Sequence, residues 1–200
     1  MHIARRLSTL SLLMVLLAAL SPSASLAQVP GVTADTIKIG SFGPLTGPNY
    51  LFGKLVMNGV EVVYNEVNKA GGVNGRKLVL VREDDRCDPA TAIAAVKKLI
   101  FQDQVFMING GGCSNAAIAA RPEIEQAKVP WVVFAAVADE VTMPTSPYIF
   151  STALAASLES LAQLDFALGH GGKKIASSRS ATRGAGLATT RSWRPSRRRA

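Results

Sequence analysis

The sequence predicts an α/β fold built on a doubly wound parallel sheet. Three observations predict it. Short apolar runs alternate with stretches of helical period from residue 37 to about residue 176. Several of the runs are apolar at almost every position, as in strands covered on both faces. Gly, Pro or Asn stands where the period changes. Alternation at this spacing builds βαβ units with right-handed crossovers.

Ile37-Lys38-Ile39-Gly40-Ser41-Phe42 reads as the first strand, ended by the turn chemistry of Gly43-Pro44-Leu45-Thr46-Gly47-Pro48. Over residues 53–70, Val56, Val60, Val63 and Val67 recur on one helical face. Gly71-Gly72 stops that helix, since glycine takes the positive φ of a C-terminal cap at little cost. Asn74-Gly75 turns into Lys77-Leu78-Val79-Leu80-Val81, which suits a buried parallel strand. Asp88-Pro89 opens the next helix as N-cap and first helical residue, with Ile93, Val96 and Ile100 facing inward. Residues 105–108 form the third strand, residues 109–114 a Gly-rich loop, 115–127 a helix and 129–134 the fourth strand. Tyr148-Ile149-Phe150 forms a short extra strand, 158–168 a helix, and Lys173-Lys174-Ile175-Ala176 begins a further strand.

Both ends are set apart from this domain. Arg5 and Arg6 precede an apolar run over residues 10–20, and Ser25-Leu26-Ala27 places small residues at the −3 and −1 positions of a cleavage site before Gln28. Residues 1–27 therefore read as a secretory signal peptide, too short in its apolar part to span a bilayer. The expected location is the periplasm, as a soluble protein. The formal charge of +8 is no footprint of nucleic acid. Between residues 28 and 176 there are 13 Lys and Arg against 14 Asp and Glu, whereas residues 177–200 carry seven Arg and no acid. That tail keeps no apolar period, although the strand begun at Lys173 calls for one. Ala181-Thr182-Arg183 is what codons for Asp-Ala-Tyr give when read one base off, so the segment 177–200 is expected to be out of frame.

Cys87 and Cys113 both lie in the exported part. An even count in an oxidising compartment points to one disulfide, the alternative being two buried thiols. The bridge would close a loop of about 25 residues and contribute roughly 3 kcal/mol. Catalysis finds little support. His2 and His170 are the only histidines, so Cys113 lacks an evident base. Asp84 and Asp85 read as a solvated turn before the Asp88 cap, and no phosphate-cradling motif follows a strand.

Several stretches, in order and at matching spacing, carry a resemblance. They are residues 37–47, Asn68-Lys69-Ala70-Gly71-Gly72-Val73-Asn74-Gly75-Arg76-Lys77-Leu78, Asp84-Asp85-Arg86-Cys87-Asp88-Pro89, Gly112-Cys113-Ser114 and residues 134–142. Together they resemble the branched-chain amino acid (Leu/Ile/Val-type) periplasmic binding proteins of class I. The resemblance covers the first lobe, residues 28–176 as a domain. It implies two α/β lobes that close on a small ligand, a Cys87–Cys113 disulfide, delivery to the membrane permease of an ABC importer, and no enzyme activity or cofactor. A monomer with no nucleic-acid partner is expected. A sensory receptor domain is the rival role, and neighbouring genes for a permease or a kinase separate the two.

Position by position, Phe52 falls where an aromatic wall meets the ligand and Ser114 where a carboxylate is held. Ala135, Ala136 and Val137 fall on the segment that meets the ligand's polar end. Amino-acid binders usually have Thr where this chain has Val137. A buried charge-assisted bond of about 1.5–3 kcal/mol is thereby lost, which brings aromatic acids and amides in as alternative ligands. Independently, ligands in open parallel sheets bind beyond the strands' carboxyl ends. Ser114 stands there at a helix start, whose free N–H groups favour a carboxylate. Since the family closes two lobes on its ligand, binding by this chain alone is expected to be weak or absent.

Overall fold

A computed structural model describes residues 29–172. The signal segment, the strand expected from Lys173 and the tail from residue 177 lie outside the described residues. Five strands, β1 (Thr36–Gly43), β2 (Lys77–Asp84), β3 (Met107–Gly110), β4 (Trp131–Val133) and β5 (Ile149–Ser151), form one sheet in the order β2-β1-β3-β4-β5. Every pairing is parallel. The helices are α1 (Tyr50–Lys69), α2 (Pro89–Lys97), α3 (Ser114–Ala127), α4 (Asp139–Thr142) and α5 (Ala156–Gly169). Lys98–Gln102 continues α2 as one wider π-helical turn. This is the doubly wound α/β fold expected, and the short stretch at Tyr148 supplies its fifth strand.

The core lies between the sheet and the α2–α3 pair. Phe42, Leu99, Ile108, Ile124, Trp131 and Val133 are wholly buried. Trp131 packs its indole 5.7 Å from the Phe42 ring and donates Nε1–H to the Gly110 carbonyl at 2.9 Å. Trp131 is thus a core residue with its one donor satisfied.

Several expected details are corrected. The inward face of α1 is set by Gly53 and Met57, while Val63 of the expected valine stripe stays 58% exposed. A Cβ at Gly53 would collide with the Pro44 carbonyl, so the glycine, not the valines, marks the line of closest approach. In α2 the buried residues are Ala92, Ala95 and Val96, followed by Leu99, with Ile93 and Ile100 only half-buried. These alanines meet Ala116, Ala117 and Ala120 of α3 in one cluster, where small side chains let the two helices approach. Strand β2 is an edge strand and not a buried one. Strand β3 begins two residues later than expected, because the Val105 N–H closes onto the Leu99 carbonyl. Asn109 and Gly110 therefore belong to the strand, and Gly110 leaves room for Phe42 on β1.

Candidate functional site

From β1 the chain crosses to β2 on one side, and from β2 it returns to β3 on the other. Such a switch in direction opens a crevice beyond the carboxyl ends of β1 and β3. Three loops line it: residues 44–49 after β1, 111–113 after β3 and 134–138 after β4.

These loops are tied to one another rather than free. The Asp84 carboxylate, at the end of β2, accepts the N–H of Leu45 (2.8 Å), Thr46 (3.3 Å) and Arg86 (3.0 Å), and the Thr46 hydroxyl as well. Burial raises its pKa, but the Thr46 hydroxyl and the three N–H donors outweigh burial and hold the carboxyl below its usual value. Cys87 and Cys113 form the expected disulfide, with Cα atoms 5.3 Å apart, and Asn115 donates to the Cys87 carbonyl at 3.0 Å. The loop after β2 is thus joined to the start of α3. Replacing both cysteines with serine should lower stability by roughly 3 kcal/mol. Urea midpoints with and without reductant check this; equal midpoints for both proteins would contradict it.

The loop after β4 is fixed with equal care. The N–H groups of Ala135 and Ala136 both donate to the Gly111 carbonyl, at 3.3 and 3.0 Å. Those of Val137 and Ala138 both donate to Ser114 Oγ, at 3.2 and 3.3 Å. A hydroxyl has two acceptor sites and one donor. With both acceptor sites occupied, Ser114 keeps only its proton for anything in the crevice. Cys113 stands at the N-cap of α3 without a side-chain cap, so the first N–H groups of that helix stay open.

Phe52, in the first turn of α1, is 46% exposed and lies 6.5 Å from the Phe134 ring. Gly112 sits against both. A Cβ there would come within 3.1 Å of Pro44 and 3.5 Å of each ring. Ala135 is half-buried, Ala136 is buried and Val137 is 37% exposed. The structure therefore gathers Phe52, Ser114, Ala135, Ala136 and Val137 at one crevice, and adds Phe134 and Gly112, which lie in the matched stretches but were not among the expected ligand contacts. The Gly-rich loop over residues 109–114 and the apolar end of the fourth strand were the signals available for them.

The paired acids correct the expectation of a solvated turn. Asp88 is the N-cap expected, accepting the Thr91 N–H at 2.8 Å. Asp85, however, is fully buried; Oδ1 accepts the Cys87 N–H at 2.8 Å and Oδ2 has no partner among the described residues. Burial, together with the charges of Asp84 and Asp88 and against the Cys87 hydrogen bond, pushes its pKa up to about 6. Among the described residues, no group of His, Cys, Asp and Glu stands together as a metal site.

A sequence profile of periplasmic binding proteins matches residues 36–193, most of the chain. The chain belongs to the periplasmic binding protein family. It is 43% identical over 126 residues to Leu/Ile/Val-binding protein homolog 7 of Brucella suis biovar 1 (strain 1330), covering 63% of this chain and 31% of that protein. The solute-binding protein of an ABC transporter from Rhodopseudomonas palustris BisB5, in complex with 3,4-dihydroxybenzoic acid, superposes with a TM-score of 0.61 at 34% identity, over 68% of this chain and 37% of that one. The branched-chain amino acid transporter substrate-binding protein of Streptococcus pneumoniae, in complex with isoleucine, gives 0.57 at 28% identity, over 60% and 34%. The chain spans about a third of the length of these relatives.

Proposed function

We propose that this chain is the first ligand-binding lobe of a periplasmic solute-binding protein that delivers a small carboxylate to the permease of an ABC importer. The observation that carries the reading is Ser114. Its hydroxyl, held by two backbone donors, is left with a proton to give, beside the open N–H groups of α3. Donors converging at a switch point suit a carboxylate. Support also comes from the relatives bound to 3,4-dihydroxybenzoic acid and to isoleucine, both of which carry one. The ligand class is a branched-chain amino acid or a related small carboxylate. Binding, not catalysis, is the role, with no cofactor and no nucleic acid, and the protein works as a monomer.

The domain reading goes with this proposal: a signal peptide over residues 1–27, removed before Gln28, a lobe over 28–176, and an out-of-frame segment over 177–200. The family match runs on to residue 193, so the two boundaries disagree, and resequencing of the gene decides between them. Mass spectrometry of the exported protein tests the cleavage site. Ligand binding is tested by amide NMR on this chain. With one lobe, affinity is expected on the order of millimolar, and carboxylates should shift the Ser114, Asn115 and Ala116 amides. Ser114→Ala should abolish those shifts. Their persistence in the variant would remove Ser114 from the site.

A further inference from the structure

We infer that Asp139 is the positioning residue that sets the direction of α5, and that Ser114 passes the state of the crevice on to that helix through Val137. The bonds stand on their own; their use in answering a ligand rests on the solute-binding reading above.

The first ground is the helix itself. α5 buries none of its 14 residues, and Leu158, Leu161 and Phe166 are each more than half exposed. Packing therefore does little to hold it against the lobe. Its N-cap, Ala155, has no side chain that could cap it. Among the described residues, the hydrogen bonds that join α5 to other elements are confined to its first turn. A helix held at one end takes its direction from that end.

The bonds at that end come from the segment after β4. The Ala156 N–H donates to the Val137 carbonyl at 2.8 Å, and the Ser157 N–H donates to Asp139 Oδ1 at 3.2 Å. The Ser157 hydroxyl and that N–H hold the Asp139 carboxyl below its usual value, against desolvation. The N–H groups of Leu158 and Glu159 turn to the Ala155 carbonyl, at 3.0 and 3.2 Å, so each donor of the first turn is taken. Asp139 thus does for α5, from another helix, what an N-cap side chain does locally.

On its other side the same segment is bound to the crevice. Val137 and Ala138 donate their N–H groups to Ser114 Oγ, and Val137 turns its carbonyl to α5. One residue therefore stands between Ser114 and Ala156. Arg121, through the Glu140 and Met143 carbonyls, fixes α4, whose first residue is Asp139. On the strand side the Thr152 N–H is anchored to the Val133 carbonyl at 3.1 Å. Residues 153–155 are left between that anchor and α5, and a short stretch of this kind absorbs a change of direction. A ligand that engages the Ser114 hydroxyl acts on both of its bonds to the segment, and the Val137 carbonyl carries the change to the first turn of α5.

Amide residual dipolar couplings and hydrogen exchange on the intact 200-residue chain test this without a ligand. In the parent, α5 and the sheet should share one alignment. Asp139→Ala should speed exchange of the Ser157 amide about fivefold, the usual weight of a lost cap, and should free α5 from the common alignment. Asp139→Ala combined with Ala155→Asp supplies a local cap instead: protection should return and the common alignment should not. Ser114→Ala should change the couplings of α5 while its protection stays. An Asp139→Ala chain with α5 still aligned to the sheet, or a local cap that restores the alignment, would overturn Asp139 as the positioning residue. Unchanged α5 couplings in Ser114→Ala would overturn the link to the crevice. If Asp139→Ala loses the helix altogether, the doubly substituted chain, with α5 restored, still decides its direction. Because no ligand enters, failure here leaves the carboxylate reading standing, and failure of the ligand-induced shifts leaves this inference standing.

Discussion

Replacing Arg121 with methionine should destabilise the lobe by about 3–5 kcal/mol, the range for breaking a buried charge network on one side. Arg121 is 8% exposed and sits on α3. One guanidinium nitrogen donates to the carbonyls of Glu140 (2.8 Å) and Met143 (2.6 Å), and the other to the Pro144 carbonyl and to Glu125 (3.0 Å). Three carbonyls of the segment between β4 and β5 thus depend on one side chain. Methionine keeps the stem's packing and removes all the donors, so the loss isolates the hydrogen bonds. A lysine cannot reproduce the planar fork and should recover only part of the loss. The effect should reach the crevice, because Arg121 holds α4 and Ala138, its N-cap, bonds to Ser114. Faster hydrogen exchange at Ala138 and a lower urea midpoint are the readouts. A methionine variant within 1 kcal/mol of the parent would show that the carbonyls find other partners.

None of this network was legible in the sequence, and the reason is physical. Arg121 follows Ala120 in a helical stretch, and apart from Glu125 four residues on, its partners are main-chain oxygens, which every residue has. What the sequence did reveal were features with local causes. Asp88-Pro89 is a cap in sequence and in space. The alternation of strand and helix and the glycine stops each depend on chemistry that a short window contains, and the pairing of Cys87 with Cys113 was legible because the exported part has two cysteines. Periodicity gave the existence of α1 and α2 but not their phase. There Gly53, Ala92 and Ala95 decide which face can come close, and a small residue carries little signal on a hydrophobicity pattern. The same limit explains β2, since an edge strand and a central one share a composition when a helix covers one face. At the crevice, Phe52, Ser114 and the 135–137 segment were named by resemblance, and the fold brings them together. The use of Ser114 as an acceptor for two N–H groups was not, because it depends on how the loop after β4 folds back over α3.

Asp85 leads to the second large effect, and its direction is opposite to that of most buried-residue changes. A carboxyl whose folded pKa lies near 6, against a usual value of 3.8, binds a proton more tightly in the folded chain than in the unfolded one. Its contribution to stability is fully present below about pH 4, declines as pH rises through 6 and stays lost above that. The cost at neutral pH is on the order of 2–3 kcal/mol. Asp85→Asn removes the charge, retains an oxygen for the Cys87 N–H and leaves a neutral amide in place of the orphaned Oδ2. It should therefore stabilise the lobe by about 1–2 kcal/mol at pH 8, with the advantage vanishing near pH 4. The comparison must be made between variant and parent at each pH, because Asp84 and Asp88 have lowered pKa values and weaken the parent in acid for the opposite reason. Urea unfolding at pH 4, 6 and 8 measures it. An asparagine variant less stable than the parent at pH 8, or a difference that does not change with pH, would mean that the carboxylate has a partner in solution. If the expected gain is found, the fold carries a charge that weakens it, hydrogen-bonded to the residue whose disulfide joins the loop after β2 to the loop after β3. The same residue should then be tested for its effect on ligand affinity, where a loss in the stabilised variant would show that stability is given up there for the geometry of the site.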